Sequence, residues 1–431
     1  MNPLAQKLNQ QLNNSIALRA FSDLGKRLYF PRGVVAQTAE AAKYAHKYNA
    51  TVGMATNNND PIYLSSIKKH IKDLHVSEIF SYAPTAGIPE LRNLWLKEII
   101  RKNPGISTNI SLPIVTTGLT HGISLVADMF VDSGDSVLLP DMYWGNYRLI
   151  MEERRQGMLK TFPFFDSQKN FNLTGFAEKI NLMKAGSKVV LLMNFPNNPT
   201  GYTPTVSEIE LMCDLIIQAA KREVKLVVIS DDAYFGLFFG DQTFKQSVFA
   251  KLCDAHPNIL AIKIDGATKE NYVWGFRIGF LTFSAKGMLP VHFESLEQKF
   301  MAAIRSSISN SNMLTQSLLL RAIKAGSFQE ECEHNINLIR QRYKKVLEVL
   351  SKKRFQENRL LSPLPFNSGY FLTFRLVKNV SDAVRKVLLH DYGIGVIAVN
   401  EEYLRVAFST VELENIEPLI EKIYDIASEI I

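Results

Sequence analysis

Short apolar runs alternate with longer amphipathic stretches through the middle of the chain. Five runs rich in Val, Ile and Leu are predicted strands: 136–140, 188–193, 225–230, 259–264 and 278–283. Because these runs are apolar throughout and do not alternate, they predict strands covered on both faces, as in a parallel sheet. Residues 118–131 and 205–222 have the apolar spacing of helices. The order predicts a doubly wound α/β fold with binding sites at the carboxyl ends of its strands.

Beyond residue 283 the pattern changes. Helices are predicted at 314–323, 331–350 and 415–430, and strands at 369–375 and 404–408. Strands and helices mixed in this way predict a smaller α+β domain. A chain of 431 residues also exceeds the length that one hydrophobic core usually supports, which favours two domains.

Composition and charge narrow the class of protein. Hydrophobic residues make up 46% of the chain and charged residues 21%, which is ordinary for an enzyme with a large core. The net charge of +7 is spread along the chain, and such an excess suits small anions as well as nucleic acid. We predict no nucleic-acid partner. Cys213, Cys253 and Cys332 form no CxxC pair, so neither a disulfide framework nor a zinc site is predicted.

Targeting signals give little indication of location. No apolar run approaches the length of a membrane span. The first 22 residues contain Lys7 and Arg19 but no acidic residue, which faintly resembles a transit peptide. Because an apolar core and a cleavage signal are missing there, we predict a surface helix, no membrane contact and a cytoplasmic protein.

A lysine and an arginine follow the run 259–264. Lys269 comes just after that predicted strand, and Arg277 lies between Gly275 and Gly279. A lysine near apolar walls can lose its proton and attack a carbonyl group. An arginine beside glycines that let the backbone approach a ligand suits a phosphate. Pyridoxal phosphate carries both an aldehyde and a phosphate, although a Lys and an Arg in a loop are more often solvated charges.

Polar residues also follow two other predicted strands. Asn198 lies in the turn at 194–201, where two prolines and a glycine would hold its amide rigidly. Asp231 follows the run 225–230 and is a candidate partner for a protonated ring nitrogen, while the Tyr234 phenol suits a ring oxygen. The alternatives are an ordinary turn and a helix N-cap beside a core tyrosine.

Two further segments suit a planar, phosphorylated ligand. The glycine turn at 116–121 opens the helix at 118–131, and backbone N–H groups at a helix N-terminus attract phosphate. Many helices begin in this way, so the signal alone is weak. Trp144 follows the run 136–140 and could stack on a heteroaromatic ring, although a tryptophan there more often packs in the core.

Together these segments resemble fold-type I pyridoxal-phosphate enzymes, specifically the class I and II aminotransferases related to aspartate and aromatic aminotransferases. The resemblance runs from about Ala50 to the C-terminus. Residues 82–92 resemble the family's Y-x-P-x-x-G-x-P-E-L-R segment, and 198–201 its N-P-T-G. Residues 231–234 match its D-x-x-Y, and 269–279 its lysine–arginine signature.

The resemblance implies a role for each matched residue around the cofactor. Lys269 would form the internal aldimine and then move the proton, Asp231 would pair with the ring nitrogen, and Asn198 and Tyr234 would bind the ring oxygen. The phosphate would be bound by Arg277 and by the backbone N–H groups of Leu119 and Thr120, with Trp144 stacked on the ring. Tyr82 would reach the phosphate in a neighbouring subunit, which implies a homodimer.

The resemblance also implies a reaction and an architecture. Arg405 would clamp the substrate α-carboxylate, with Gly53 and Asn198 beside it. The enzyme would move an amino group from an L-amino acid to a 2-oxo acid by a ping-pong mechanism. A large doubly wound, mainly parallel pyridoxal-phosphate domain at 62–300 would be joined by a smaller α+β domain built from both termini, at 1–61 and 301–431.

The sequence departs from the family's pattern in two places. Many relatives have a serine three residues before the lysine, where this chain has Gly266, so a phosphate ligand is missing or is supplied by Thr268 or the backbone. Residues 29–35 lie where relatives often have substrate-facing residues, but they match no specificity pattern. The identity of the substrate therefore stays open.

Other pyridoxal-phosphate proteins share nearly all of these residues. A β-lyase, or a synthase of the aminocyclopropane-carboxylate type, differs mainly in how the carbanion is quenched. Acyl-transferring relatives are disfavoured because the ring-stacking position is Trp144 and not His. A non-catalytic regulator is disfavoured because Lys269 is present and no helix-turn-helix pattern precedes Ala50.

Overall fold

The computed structural model describes residues 1–30, 33–58 and 60–431. The strands are β1 (Tyr48–Asn49), β2 (Thr56–Asn57), β3 (Asp60–Pro61), β4 (Ile114–Thr116), β5 (Ser136–Pro140), β6 (Met158–Phe162), β7 (Lys188–Asn194), β8 (Lys225–Asp231), β9 (Ile259–Asp265), β10 (Gly279–Ser284), β11 (Leu361–Pro363), β12 (Phe371–Leu376), β13 (Ile394–Gly395), β14 (Ile397–Val399) and β15 (Tyr403–Ala407).

The helices are α1 (Pro3–Gln11), α2 (Ile16–Ala20), α3 (Asp23–Arg27), α4 (Val34–Tyr44), α5 (Ser65–Lys68), α6 (Val76–Phe80), α7 (Pro89–Lys102), α8 (Gly118–Phe130), α9 (Leu173–Asn181), α10 (Val206–Lys221), α11 (Val248–Leu252), α12 (Ala267–Glu270), α13 (Pro290–Ser307), α14 (Met313–Lys324), α15 (Phe328–Leu350), α16 (Lys353–Gln356), α17 (Ser381–Tyr392) and α18 (Ile416–Ile430). A π-helical segment spans Arg148–Arg154. Within the described ranges, every helix is too short or too polar to span a bilayer.

Seven strands form the central sheet, in the order β4-β10-β9-β8-β7-β5-β6. Strands β9, β8, β7, β5 and β6 pair in parallel, which confirms the predicted mainly parallel α/β fold. The run at 278–283 forms β10, which is antiparallel to both of its neighbours, so the parallel pairing predicted for it is wrong. An apolar run indicates burial on both faces but carries no information on strand direction.

Strand directions bring several chain segments to one edge of the central sheet. Strands β5, β7, β8 and β9 end at this edge. Strand β4 ends there too, because β4 and β9 both run opposite to β10, and β10 begins there. The segments that follow β4, β5, β7, β8 and β9 therefore meet the segment that precedes β10, as a doubly wound fold requires.

A second, antiparallel sheet has the order β11-β12-β15-β14. Arg405 lies in β15, between Thr373 of β12 and Ile397 of β14. Strand β1 pairs with β13, and the Ala407 N–H donates to the Ala50 carbonyl at 2.8 Å. These bonds place the chain around residues 51–53 beside the end of β15.

Helix α10 shows how the local sequence sets one element. Its buried residues Ile209, Met212 and Ile216 recur every three or four positions, which gives one apolar face. The Glu208 N–H donates to Thr205 Oγ1 at 3.3 Å, and the Thr205 N–H donates to Glu208 Oε2 at 2.6 Å, which caps the helix start.

At the N-terminus of the chain, two short helices, α1 and α2, replace the single surface helix that was predicted.

Candidate active site

A cavity of about 290 Å³ lies between the carboxyl edge of the central sheet and β15. The residues predicted to contact cofactor or substrate line it together: Gly53, Leu119, Thr120, Trp144, Asn198, Asp231, Tyr234, Lys269, Arg277 and Arg405. Trp144 is half-buried at the cavity and is not a core residue. Tyr82 is the exception, because it lies on the surface with 89% of its area exposed.

Lys269 lies on the short helix α12, directly after β9. The Tyr370 hydroxyl donates to the Lys269 carbonyl at 3.2 Å, and the Lys269 Nζ lies 5.0 Å from the centroid of the Tyr234 ring. The pKa of the Lys269 amine is lowered from 10.5 to about 8, chiefly by burial; the Asp231 charge opposes this change and the Arg277 charge contributes to it. About a tenth to a fifth of this amine is therefore neutral near physiological pH, far more than for an ordinary lysine, and the neutral form is able to act as a nucleophile.

In the cofactor-free protein, the rate at which Lys269 captures an aldehyde should rise with pH around a midpoint near 8. The neutral amine is the nucleophile, so the rate follows the deprotonated fraction. Stopped-flow absorbance with pyridoxal phosphate from pH 6 to 10.5 measures it. In Asp231→Asn, which removes the charge that raises this pKa, the midpoint should move to lower pH. A midpoint near the ordinary lysine value of 10.5 would contradict the electrostatics described above.

Asp231 is held at the end of β8 by three different groups. The Tyr147 hydroxyl donates to its Oδ2, and the Ala233 N–H donates to its Oδ1 at 3.1 Å. Its backbone carbonyl accepts from Asn194 Nδ2 at 2.9 Å. Asp231 is 3% exposed, and burial raises the pKa of its carboxyl group, while the Tyr147 hydrogen bond opposes that change. The carboxylate is therefore fixed in orientation, by a tyrosine that the sequence analysis did not identify.

Close backbone approaches shape the end of the cavity where α8 begins. Thr117, the N-cap of α8, makes no side-chain cap bond, which leaves the first-turn N–H groups available to an anion. A Cβ at Gly118, where φ is +77°, would lie 2.6 Å from Arg277 Nη2. A Cβ at Gly279 would lie 3.0 Å from the Leu119 nitrogen. Glycine at 118 therefore lets Arg277 approach the helix start, and glycine at 279 lets the beginning of β10 do the same.

Close backbone contacts explain why position 266 is a glycine and not a serine. A Cβ at this position would lie 2.6 Å from the Ile278 carbonyl oxygen and 2.9 Å from the Gly279 Cα. A serine would therefore need the backbone of β10 to shift, and glycine is the residue that fits. Thr268 lines the cavity two residues later, and its Oγ1 lies 3.5 Å from the Ile278 carbonyl.

Arg405 is buried, with 3% of its area exposed. Its Nη1 donates to Asn198 Oδ1 at 3.0 Å, and its Nη2 donates to the Thr51 carbonyl at 2.7 Å. The guanidinium carbon lies 4.4 Å from the centroid of the Phe371 ring, and Nε is buried with no hydrogen-bond partner in the described residues. Burial lowers the pKa of Arg405 to about 10, so it stays charged at neutral pH. The cavity therefore contains a fixed cation with a spare donor.

A buried ion cluster lies next to Asp231 in the chain but does not line the cavity. The Lys263 ammonium contacts the Asp232 carboxylate and lies 3.4 Å from Asp265. Ser247 donates to Asp232 at 2.6 Å, and Trp95 Nε1 donates to Asp265 at 3.2 Å. The two neighbouring carboxylates, Asp231 and Asp232, therefore belong to different groups of side chains.

Residues 49–423 match the family model described as aminotransferase class I and II. The chain belongs to this family. The family and fold class predicted from the sequence are thereby confirmed.

Similar proteins share the family but differ in the substrate that they are named for. A probable aspartate/prephenate aminotransferase of Aquifex aeolicus is 26% identical over 63% of this chain and 63% of its own length. A probable N-acetyl-LL-diaminopimelate aminotransferase of Bacillus subtilis is 25% identical over 80% of this chain and 81% of its own length. A solved aminotransferase from Anaerococcus prevotii, 24% identical, superposes with a TM-score of 0.81 over 93% of this chain and 98% of its own. That likeness concerns the fold.

Proposed function

We propose that this protein uses pyridoxal phosphate to transfer an amino group from an L-amino acid to a 2-oxo acid. The observation that carries the proposal is the cavity itself. It places a lysine amine of lowered pKa, a buried carboxylate and two arginines around one space. Family membership supports the same conclusion.

The cavity fits this cofactor at each of its polar groups. When bound, pyridoxal phosphate supplies an aldehyde that takes up the amino group and a ring that withdraws electrons from Cα. Arg277 and the first turn of α8, which Gly118 allows to lie close together, would bind the phosphate. Asp231 would hold a proton on the ring nitrogen, because its carboxylate is fixed and buried.

The remaining site residues would act on the ring oxygen and the substrate. Asn198 Oδ1 accepts a hydrogen bond from Arg405, so Asn198 Nδ2 stays available as a donor to the ring oxygen. The Tyr234 side chain lines the same cavity. The unpartnered Nε of Arg405 supports a role for this guanidinium as the α-carboxylate clamp. A Cβ at Gly53 would lie 3.2 Å from the Tyr234 hydroxyl, so glycine leaves room there for the substrate. Once released, the Lys269 amine would move the proton from Cα.

Single-turnover measurements test the proposed reaction. Protein loaded with the cofactor and mixed with an amino donor should release one 2-oxo acid per chain and retain the nitrogen. Adding a different 2-oxo acid should then produce the matching amino acid. Release of ammonia would instead support the lyase alternative, and release of no 2-oxo acid would support the non-catalytic regulator.

Substituting Arg405 with lysine should lower kcat/KM about ten- to hundredfold, because one charge-assisted hydrogen bond is worth about 1.5–3 kcal/mol. Lysine keeps the charge but loses the planar fork that holds a carboxylate. The fall should be similar for every amino donor, since all donors share the α-carboxylate. The measurement is kcat/KM for several donors, together with the cofactor Kd, which should change little.

The matched control is Arg375→Lys, an exposed arginine on the neighbouring strand β12 that pairs with Glu402 at 3.2 Å. It should leave kcat/KM unchanged. A loss in Arg405→Lys that was confined to acidic donors would place Arg405 at a side-chain carboxylate and contradict the proposed role. An unchanged kcat/KM in Arg405→Lys would also contradict the proposed role.

We also propose the predicted homodimer, in which Tyr82 contacts the phosphate bound by a second copy. Tyr82 and Arg277 are both exposed in the single chain, and so are the nearby apolar residues Val76 and Phe80. A second copy would cover such groups.

The domain boundaries at 61 and 300 stay a prediction. The cytoplasmic location also stays a prediction, and the cysteines, which are free and buried in the described structure, agree with a reducing compartment.

A further inference from the structure

Tyr147 lies against the buried carboxylate of the candidate active site. It follows β5 in the chain and directly precedes the π-helical segment Arg148–Arg154. Its side chain is 1% exposed and lines the cavity, and its hydroxyl donates to Asp231 Oδ2. The Tyr147 ring packs edge-on against Trp144, with 5.5 Å between the ring centroids, and its N–H donates to the Trp144 carbonyl at 2.9 Å. These contacts hold the hydroxyl at one oxygen of Asp231.

The Tyr147 hydroxyl keeps its proton throughout the physiological pH range. Burial and the neighbouring Asp231 charge raise the pKa of this phenol well above its usual value. An ionised carboxylate can only accept hydrogen bonds, so the hydroxyl is the donor in the contact. A hydrogen bond from a fixed donor stabilises the charged form of a carboxyl group.

Asp231 needs this stabilisation because its surroundings act against its charge. Burial raises the pKa of the Asp231 carboxyl group, and the Tyr147 hydrogen bond is the largest of the influences that lower it. A carboxyl group that took up a proton would no longer offer a negative charge to a protonated ring nitrogen. The contact between these two side chains therefore bears on the chemistry of the site as well as on its packing.

Lys269, Lys263 and Tyr234 are further titratable groups near Asp231 in the described part of the chain. Lys269 favours the charged carboxylate, but its free ammonium is lost when it attaches the cofactor. Lys263 also favours it, although this ammonium is shared with two other carboxylates. Tyr234 is neutral, because burial raises the pKa of its phenol. The Tyr147 hydroxyl is therefore the strongest of these contacts that stays unchanged once the cofactor is attached.

A buried acid beside a ring nitrogen can hold the shared proton itself, which leaves the ring neutral. Building on the proposed aminotransferase function, we infer that Tyr147 is a positioning residue whose hydroxyl keeps this proton on the cofactor ring nitrogen and off Asp231. It acts through Asp231, because its hydrogen bond makes the carboxylate a weaker base and holds its orientation. A protonated ring withdraws electrons from Cα, so the hydroxyl speeds removal of the Cα proton.

Nitrogen-15 NMR of protein loaded with ring-labelled pyridoxal phosphate tests this inference without turnover. The chemical shift of the ring nitrogen reports directly whether that nitrogen carries a proton. The wild-type signal should lie at the protonated position at neutral pH. In Tyr147→Phe, which removes only the hydroxyl, the signal should move towards the neutral position. A wild-type signal at the neutral position, or a signal that does not move in Tyr147→Phe, would overturn the inference.

The half-reaction rate gives a second measurement. Tyr147→Phe should slow removal of the Cα proton about ten- to hundredfold, the loss expected for one hydrogen bond to a charged group. The affinity for the amino donor should stay the same, because Arg405 is untouched. An unchanged rate, or a loss that appeared only in the donor affinity, would contradict a role that acts through Asp231.

The Asp231→Asn background shows whether Tyr147 acts through Asp231 or through its packing on Trp144. In that background, Tyr147→Phe should slow the half-reaction by no more than about twofold, because two residues that act as a unit do not give additive losses. A larger additional loss would overturn the inference, since the hydroxyl would then act on the reaction by another route.

Tyr202 provides the matched control. Its side chain is 8% exposed and its hydroxyl also donates to a carboxylate, 3.0 Å from Glu208 Oε2, but it does not line the cavity. Tyr202→Phe should lower the melting temperature and leave both the nitrogen-15 signal and the half-reaction rate unchanged. If Tyr202→Phe matched Tyr147→Phe in both measurements, the effect would be a general loss of stability and the inference would fail.

The outcomes distinguish this inference from the function on which it rests. Loaded protein that transferred an amino group equally fast with and without the Tyr147 hydroxyl would overturn the inference and leave the proposed function standing. If the wild-type protein took up no pyridoxal phosphate, or released no 2-oxo acid from any donor, the proposed function would fail as well.

Discussion

Replacing Lys269 with alanine should lower the rate of amino transfer by at least about 10³-fold, because one substitution removes both the nucleophile and the proton carrier. The protein should still fold and bind pyridoxal phosphate, since Arg277, Trp144 and Asp231 stay in place around the cavity. Single-turnover rates, together with the cofactor Kd from equilibrium dialysis, measure the two effects separately.

An exposed lysine provides the control for this substitution. Lys286→Ala removes a surface side chain and should leave both the rate and the cofactor Kd unchanged. Amino transfer in Lys269→Ala within tenfold of the wild-type rate would show that the reaction does not depend on this residue.

Asp231→Asn should slow removal of the Cα proton by about 10²–10³-fold, the loss expected when one preorganised electrostatic contact is removed from an active site. The asparagine keeps the size of the side chain but loses the charge that would hold a proton on the ring nitrogen. Cofactor attachment to Lys269 should persist. The measurement is the half-reaction rate with a Cα-deuterated and a protonated donor, and the isotope effect should grow as the proton step becomes rate-limiting.

The adjacent residue offers a closely matched control. Asp232 has the same chemistry, is also buried, and pairs with Lys263 outside the cavity. Asp232→Asn should lower the free energy of unfolding, because it weakens a buried ion pair, but change the half-reaction rate only a few-fold. An unchanged rate in Asp231→Asn would show that Asp231 has only a structural role, as the acceptor for the Tyr147 hydroxyl and the Ala233 N–H.

The sequence was sufficient to predict the strands that position most of the site. The runs at 188–193 and 225–230 became β7 and β8, each one residue longer than predicted, because central strands covered on both faces are apolar along their length. Strand β4, with three residues, was too short to show a pattern. Strand β6 lies at the sheet edge and buries only Phe162 fully, so it gave no apolar run.

The unpredicted parts of the site depend on contacts between distant segments. Tyr147 touches Asp231 across 84 positions, and nothing in the residues around Tyr147 indicates that contact. Lys263 lies inside an apolar run that was correctly predicted as a strand, so its burial with Asp232 became visible only in three dimensions. Val34 lines the cavity and belongs to the segment 29–35, whose role the sequence left open. Pro31 and Arg32 of that segment lie outside the described residues.

Attachment of the cofactor to Lys269 is the central claim, and chemical trapping tests it most directly. Protein loaded with pyridoxal phosphate would be reduced with borohydride, digested and mapped by mass spectrometry. We predict one added cofactor per chain, on the peptide that contains Lys269. A label on another lysine, such as the buried Lys263, or no label at all, would contradict the account.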